Sequence, residues 1–179
     1  MHKIIKNNYI KIGVLGGTFD PPHVGHLHIS KIAIKKFKLE KLIWSITKKN
    51  PFKKKPYLSI LKRIKLSKKI TIKEKKIHIK YFDSIVKSSG TFDVLNYIKK
   101  SNKKIRLFFL VGSDNLINLH KWKNWKKIPK IAKIIIFPRK NYPIDLKNFI
   151  LSKKLRKNDW LLIKTKKINI SSSLIRKYW

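Results

Sequence analysis

Apolar residues fall along this chain in two kinds of run. Ile10, Ile12, Val14 and Leu15 alternate with other residues, while Leu42–Ile46, Ile105–Val111, Ile131–Phe137 and Trp160–Lys164 are short and nearly continuous. Runs of that length, rich in branched and aromatic residues, predict strands, and the continuous ones predict strands of a parallel sheet covered on both faces. Trp44 is expected in the core. Between the first two strands, Leu27, Ile29, Ile32, Ala33, Ile34 and Phe37 predict a helix that opens near Val24, is buried over much of its circumference and ends at the lysines around Lys38. Leu58, Leu61 and Ile64, with Arg63 among them, predict a short amphipathic helix. Ile77 and Ile79 suggest a strand with His78 on its exposed parity, and residues 144–157 read as a lysine-rich surface helix. Thr47–Tyr57, marked by Pro51 and Pro56, is a loop. Strand and helix alternate over 179 residues, which makes one α/β domain spanning 1–179, long enough to bury a full core.

Composition narrows the class. With no cysteine the chain has neither a disulfide scaffold nor a thiolate metal site, and a reducing compartment is the default. No apolar run approaches the ~18–20 residues of a membrane span. Met1–Asn8 is a polar lead-in without the apolar stretch of a signal peptide, and His2 there is read as idle. A soluble cytoplasmic protein is expected, with no membrane partner. The net charge of +38, from 46 basic and 8 acidic residues, suggests nucleic acid or an anionic surface at first sight. Only Arg63, Arg106, Arg139, Arg156 and Arg176 are arginines, however, and recognition of bases and bidentate phosphates favours arginine. The excess of lysine beside isoleucine and asparagine is what an AT-rich coding sequence imposes, so a nucleic-acid partner is not expected. Such a field still draws in polyanionic substrates. Glu40, Glu74, Asp145 and Asp159 sit among lysines and read as surface partners, whereas Asp20 and Asp114 follow apolar strands directly.

The chemistry concentrates where the first strand meets the first helix, at Gly16-Gly17-Thr18-Phe19-Asp20-Pro21-Pro22-His23-Val24-Gly25-His26. Paired glycines give the backbone conformations closed to other residues and let a ligand approach it closely. The prolines delay the helix until after them. His23 and His26 then lie on the same side of the first turn, where free N–H groups and the helix dipole favour an anion such as phosphate. The glycine spacing is not the dinucleotide fingerprint, and no Gly-Lys-Ser/Thr follows, which excludes a P-loop. Asp20, His23 and His26 could also be read as metal ligands, but the prolines keep Asp20 off the helix, and no metal cage is expected.

This stretch resembles the nucleotidyltransferase signature with its His-x-Gly-His core, and the chain as a whole is similar to the nicotinate-nucleotide adenylyltransferases. The resemblance implies a Rossmann-like, doubly wound parallel sheet with helices on both faces. It also implies transfer of AMP from ATP to nicotinate mononucleotide, with Mg²⁺ carried in on ATP. His23, His26, Lys53 and Arg176 would then be catalytic. Lys53 is nominated because Asn50-Pro51-Phe52-Lys53 resembles a family loop reading Asn-Pro-Leu-Lys, and Lys48, Lys49, Lys54 and Lys55 crowd around it. ATP would meet Gly16, Gly17, Thr18, Phe19, Asp20 and Gly25, then Gly112 and Asp114 of a Gly-x-Asp motif. Ser171 and Ser172 complete that set within Ile168-Asn169-Ile170-Ser171-Ser172-Ser173-Leu174-Ile175-Arg176, which resembles Ile-Ser-Ser-Thr-x-Ile-Arg. The acceptor would meet Thr91, Trp122, Lys123 and Arg139. Read without the family, Thr91, Asp114, Ser171 and Ser172 are plain helix caps, Trp125 is packing and His120 is surface. The rival readings are a related enzyme with another acceptor, nicotinamide mononucleotide or phosphopantetheine, and a basic nucleic-acid-binding domain.

Overall fold

Six strands, β1 (Ile10–Gly17), β2 (Lys41–Ile46), β3 (Ile77–Lys80), β4 (Ile105–Gly112), β5 (Ala132–Phe137) and β6 (Trp160–Leu162), pair in the order β3-β2-β1-β4-β5-β6. Every pairing is parallel. The computed structural model describes residues 9–52, 54–139, 155–163, 165 and 170–179. The lead-in with His2, Lys53, Asp145, most of the helix expected over 144–157, and Ile168-Asn169 lie outside the described residues.

Because successive strand residues point to opposite faces, each continuous apolar run supplies two cores. On one face Ile12, Val14, Ile43, Phe109, Val111, Ile134 and Ile136 pack with Val94, Leu95 and Ile98 of α4 (Thr91–Lys100), which follows the short α3 (Asp83–Val86). On the other, Leu15, Leu42, Trp44, Phe108, Leu110 and Ile135 pack with the helices α1 (Val24–Phe37) and α2 (Ile60–Ile70). This is the doubly wound arrangement expected. Trp44 is fully buried, as its place in a continuous run requires, and its Nε1–H donates to Ser30 Oγ at 2.8 Å. A Cβ on Gly13 would lie 2.7 Å from Leu39 Cδ1, so this glycine admits Leu39 beneath the sheet.

The helix α1 begins at Val24, behind the prolines, and stops at Lys38, whose left-handed φ of 51° lets its N–H reach Ile34 and Lys35 carbonyls. His78 is exposed on β3. The stretch from Ser113 to Ile131 is a chain of short pieces: α5 (Ser113–Leu116), 3-10 turns at Leu119–Lys121 and Trp125–Lys127, and α6 (Ile128–Ile131). Asn124 at φ 57° and Pro129 break the helical path, and Ile131 belongs to α6 rather than to the strand. The opening turn also differs from expectation. No described glycine has a positive φ; Phe19 carries the left-handed residue, at φ 49°. Its ring is drawn into the core against Trp44 (4.9 Å, 17°) and His26 (4.7 Å). Burying a phenylalanine contributes about 1.5–3 kcal/mol, enough to offset the roughly 1–2 kcal/mol of a left-handed backbone.

β1 is central, with its crossover to β2 on one side and β4 on the other. The strand order therefore reverses beside it, and open parallel sheets form their ligand crevice at such a reversal, beyond the carboxyl ends of the strands, here those of β1 and β4.

Candidate active site

At that crevice β1 delivers Gly16, exposed, and Gly17. A Cβ on Gly16 would meet nothing nearer than Phe109 Cε2 at 4.0 Å, so the backbone there is open to an incoming group. His23 is the N-cap of α1 and His26 its third residue. His23 Nδ1 accepts from Gly25 N–H at 3.1 Å, and His26 Nδ1 accepts from His23 N–H at 3.2 Å. Each neutral ring is thereby fixed as the tautomer with its proton on Nε2. The two rings lie 3.8 Å apart, tilted by 33°. His23 is only 4% exposed, and its Nε2 has no partner among the described residues. Burial, and then the Arg139 cation, push its pKa down from 6.5 to about 4. At neutral pH it is a desolvated N–H donor and not a charge. A Cβ on Gly25 would fall 2.9 Å from the His23 ring and 3.1 Å from Ile170 Cγ2, so the glycine between the histidines is a packing requirement. Ser30 Oγ donates to His26 O at 2.7 Å and, through its contact with Trp44, ties this first turn to the core.

The far end of the chain returns to the same turn. Ser171 caps α7 (Ser172–Arg176) by accepting from Leu174 N–H at 3.1 Å, and Ser172 Oγ donates to Pro21 O at 2.9 Å. Arg176 donates to the Asp20 carbonyl, stands 3.7 Å from Asp20 Oδ2 and lies 5.0 Å over the Tyr57 ring. Two expected ATP contacts have their side chains engaged in the protein instead. The Phe19 ring is core. The Asp20 carboxylate, 3% exposed, accepts from Tyr57 N–H at 2.8 Å and Leu58 N–H at 2.9 Å.

Beyond β4, Asp114 is not a helix cap; Gly112 takes that position without a side-chain bond. Asp114 Oδ1 pairs with Arg139 Nε at 3.2 Å, and Ser113 Oγ accepts from Arg139 N–H at 2.8 Å. A Cβ on Gly112 would sit 2.5 Å from Asp114 Oδ1 and 2.9 Å from Arg139 Nε, so glycine makes room for the ion pair. Trp122 is half-buried, edge-on to Phe109 at 6.2 Å, while Lys123 is exposed and Trp125 is packed inward. Thr91 does not cap its helix either. Gly90 is the cap, and the turn is held by Ser88 Oγ donating to Asp93 Oδ2 at 2.6 Å. His120, expected at the surface, is half-buried with Nδ1 enclosed and unpartnered among the described residues. Glu74 pairs with Lys31 and Asp159 with Arg156, as surface partners. Among the described residues no group of three or more His, Asp or Glu side chains could hold a metal ion, and no helix is long and apolar enough to cross a membrane.

Two structuring residues were not singled out from the sequence. Arg63, 2% exposed, donates to Thr18 O (2.6 Å), Thr47 O (2.7 Å), Lys48 O (3.1 Å) and Leu58 O (3.1 Å). Asp83 Oδ2 accepts from Thr47 Oγ1 and Lys48 N–H, both at 2.8 Å. Rarity was the available signal: an arginine in a chain that writes lysine nearly everywhere, and an aspartate just after a strand.

This geometry agrees with what the chain resembles. The cytidylyltransferase-like family model matches residues 14–178. A Pelagibacter ubique protein described as "Probable nicotinate-nucleotide adenylyltransferase" is 46% identical over 167 residues, 93% of this chain and 92% of that protein. A Ruegeria protein of the same description is 36% identical over 128 residues, 72% of this chain and 67% of its own length. The Plasmodium falciparum nicotinic acid mononucleotide adenylyltransferase complexed with NaAD superposes with a TM-score of 0.76 at 25% identity, covering 94% of this chain and 83% of that one. The chain belongs to the cytidylyltransferase-like family and, within it, to the nicotinate-nucleotide adenylyltransferases.

Proposed function

We propose that this chain transfers AMP from ATP to nicotinate mononucleotide, forming deamido-NAD and releasing pyrophosphate. The observation that carries the reading is the histidine pair. Each Nδ1 is committed to a backbone N–H, and the buried Nε2–H of His23 waits without a partner among the described residues. An oxygen of the acceptor's 5′-phosphate attacks the α-phosphorus in line. As that bond forms, the bond to the bridging oxygen breaks and its electron pair leaves on pyrophosphate. Such a transfer asks the protein for position and charge and needs no covalent nucleophile.

In this reading His23 and His26 donate from Nε2 to the α-phosphoryl and leaving oxygens. A neutral donor already stripped of water is well suited to charge that grows in the transition state. Gly16, Gly17, Thr18 and Gly25 let the nucleotide lie against the main chain, with the backbone rather than the side chains of Phe19 and Asp20 facing it. Lys53 and Arg176, with Ser171 and Ser172, steady the β- and γ-phosphates. Gly112 and Asp114 meet the nucleotide, and Thr91, Trp122, Lys123 and Arg139 meet the acceptor, with the indole face against the flat nicotinate ring. Mg²⁺ enters as part of the substrate, on phosphate oxygens, since it keeps several waters and needs few protein ligands.

The test is pyrophosphate release with three acceptors side by side. Nicotinate mononucleotide is expected to give the highest kcat/KM, and nicotinamide mononucleotide and phosphopantetheine values at least about tenfold lower, a difference of 1.4 kcal/mol in transition-state binding. Release that is faster with either rival acceptor, or absent with nicotinate mononucleotide, overturns the assignment.

A further inference from the structure

The loop that leaves β2 runs from Thr47 to Leu58 and carries a dense run of lysines, among which Lys48, Lys49, Lys54 and Lys55 are exposed. Its two ends are tethered by charged side chains that do not belong to it. At the leading end, the Thr47 and Lys48 carbonyls accept from Arg63, while the Thr47 hydroxyl and the Lys48 N–H donate to Asp83. At the trailing end, the Leu58 carbonyl accepts from Arg63 Nε, and the Tyr57 and Leu58 N–H groups donate to Asp20. The same Arg63 Nη1 that reaches Thr47 O also reaches Thr18 O, in the turn that precedes the histidines. One guanidinium therefore spans both ends of the cationic loop and the turn beyond β1. Four carbonyls are met by three nitrogens of a rigid planar fork, a pattern that an ammonium group, donating from one nitrogen, cannot reproduce.

We infer that Arg63 is a positioning residue: it touches no substrate, and it fixes the lysine-rich loop against the β1–α1 turn so that both meet one triphosphate. The inference rests on the proposed reading of this rim as the ATP site. A buried arginine could serve stability alone, and in that case its loss would weaken the fold without distinguishing one substrate from the other. A positioning role separates them, because the loop bears on ATP while the acceptor side is built from Thr91, Trp122 and Arg139, and the carbonyls that Arg63 holds belong to Thr18, Thr47, Lys48 and Leu58 instead.

The experiment is Arg63→Lys in the full chain, with thermal melting, ATP dissociation constants by calorimetry, and KM for each substrate at saturation of the other. The expected result is a cooperative melt, ATP Kd and KM raised by about tenfold or more, and an acceptor KM within about twofold of wild type, since a displacement near 1 Å can cost up to ~10² in rate. Unchanged ATP affinity, or equal increases in both KM values, overturns the inference. Should Arg63→Lys not fold, Asp83→Ala decides alone: this half-buried residue holds the same loop end, and unchanged ATP affinity there is equally fatal. Wild-type protein that binds ATP but releases no pyrophosphate overturns the proposed activity and leaves the role of Arg63 to the dissociation constants. Wild-type protein that does not bind ATP overturns both.

Discussion

Gly25→Ala adds one methyl group where the structure leaves no room for it. The new Cβ would lie 2.9 Å from His23 Cε1 and Nδ1 and 3.1 Å from Ile170 Cγ2. Carbon atoms settle at about 3.5–4.0 Å, so the ring must retreat by roughly half an ångström to an ångström. It is 4% exposed, and its Nδ1 is held by the N–H of the substituted residue itself, so the retreat breaks or bends that bond and swings Nε2. Two stability terms oppose each other. Alanine gains about 0.8–1 kcal/mol of helix propensity over glycine, and overpacking costs about 1–3 kcal/mol. A net loss of roughly 0–2 kcal/mol lowers the melting temperature by up to about 8 °C in a domain of this size. Activity has no compensating term, since misplacing a catalytic donor by about 1 Å costs on the order of 10²-fold in kcat. The assay is pyrophosphate release at saturating substrates beside a melting curve on the same preparation. A kcat within about threefold of wild type in a folded variant would mean that the imidazole does not need the position Gly25 permits.

Other consequences are read as directly. His26→Ala should lower kcat by at least about 10²-fold with the fold retained, the scale of a lost electrostatic donor; near-normal turnover removes His26 from the chemistry. His23 titrates near 4 when folded and near 6.5 when unfolded, so its contribution is intact above pH 6.5. As the pH falls from 6.5 to 4 the unfolded state takes the proton first, and about 3 kcal/mol of stability is lost before the effect levels off. Urea titrations of wild type and His23→Gln between pH 7 and 4 check this, and curves that stay parallel over that range contradict a buried neutral imidazole.

The strands were legible because a parallel sheet buried on both faces demands unbroken apolar runs, and Leu42–Ile46 and Ile105–Val111 are such runs. The start of α1 was legible because prolines and a polar cap leave one place for it. What sequence hides is pairing over distance. Nothing local to Asp114 or Arg139 says that they form an ion pair, or that Gly112 exists to admit it. Asp20 looked like a ligand-facing carboxylate after a strand, yet its oxygens serve N–H groups nearly forty positions away. Arg63 read as the polar side of an amphipathic helix, and only the folded chain shows carbonyls from separate segments around it. The glycine pair was credited with an unusual backbone that Phe19 adopts instead, because the pull on that ring comes from Trp44, on another strand.

In the proposed reaction the turn after β1 and the Ser171–Arg176 segment grip one triphosphate. A crystal structure with a non-hydrolysable ATP analogue and nicotinate mononucleotide tests it. Phosphate oxygens are expected at about 3 Å from Nε2 of His23 and His26, with the Arg176 guanidinium and the start of α7 on the same phosphate chain. A triphosphate bound elsewhere, with His23 Nε2 still unpartnered, would contradict it.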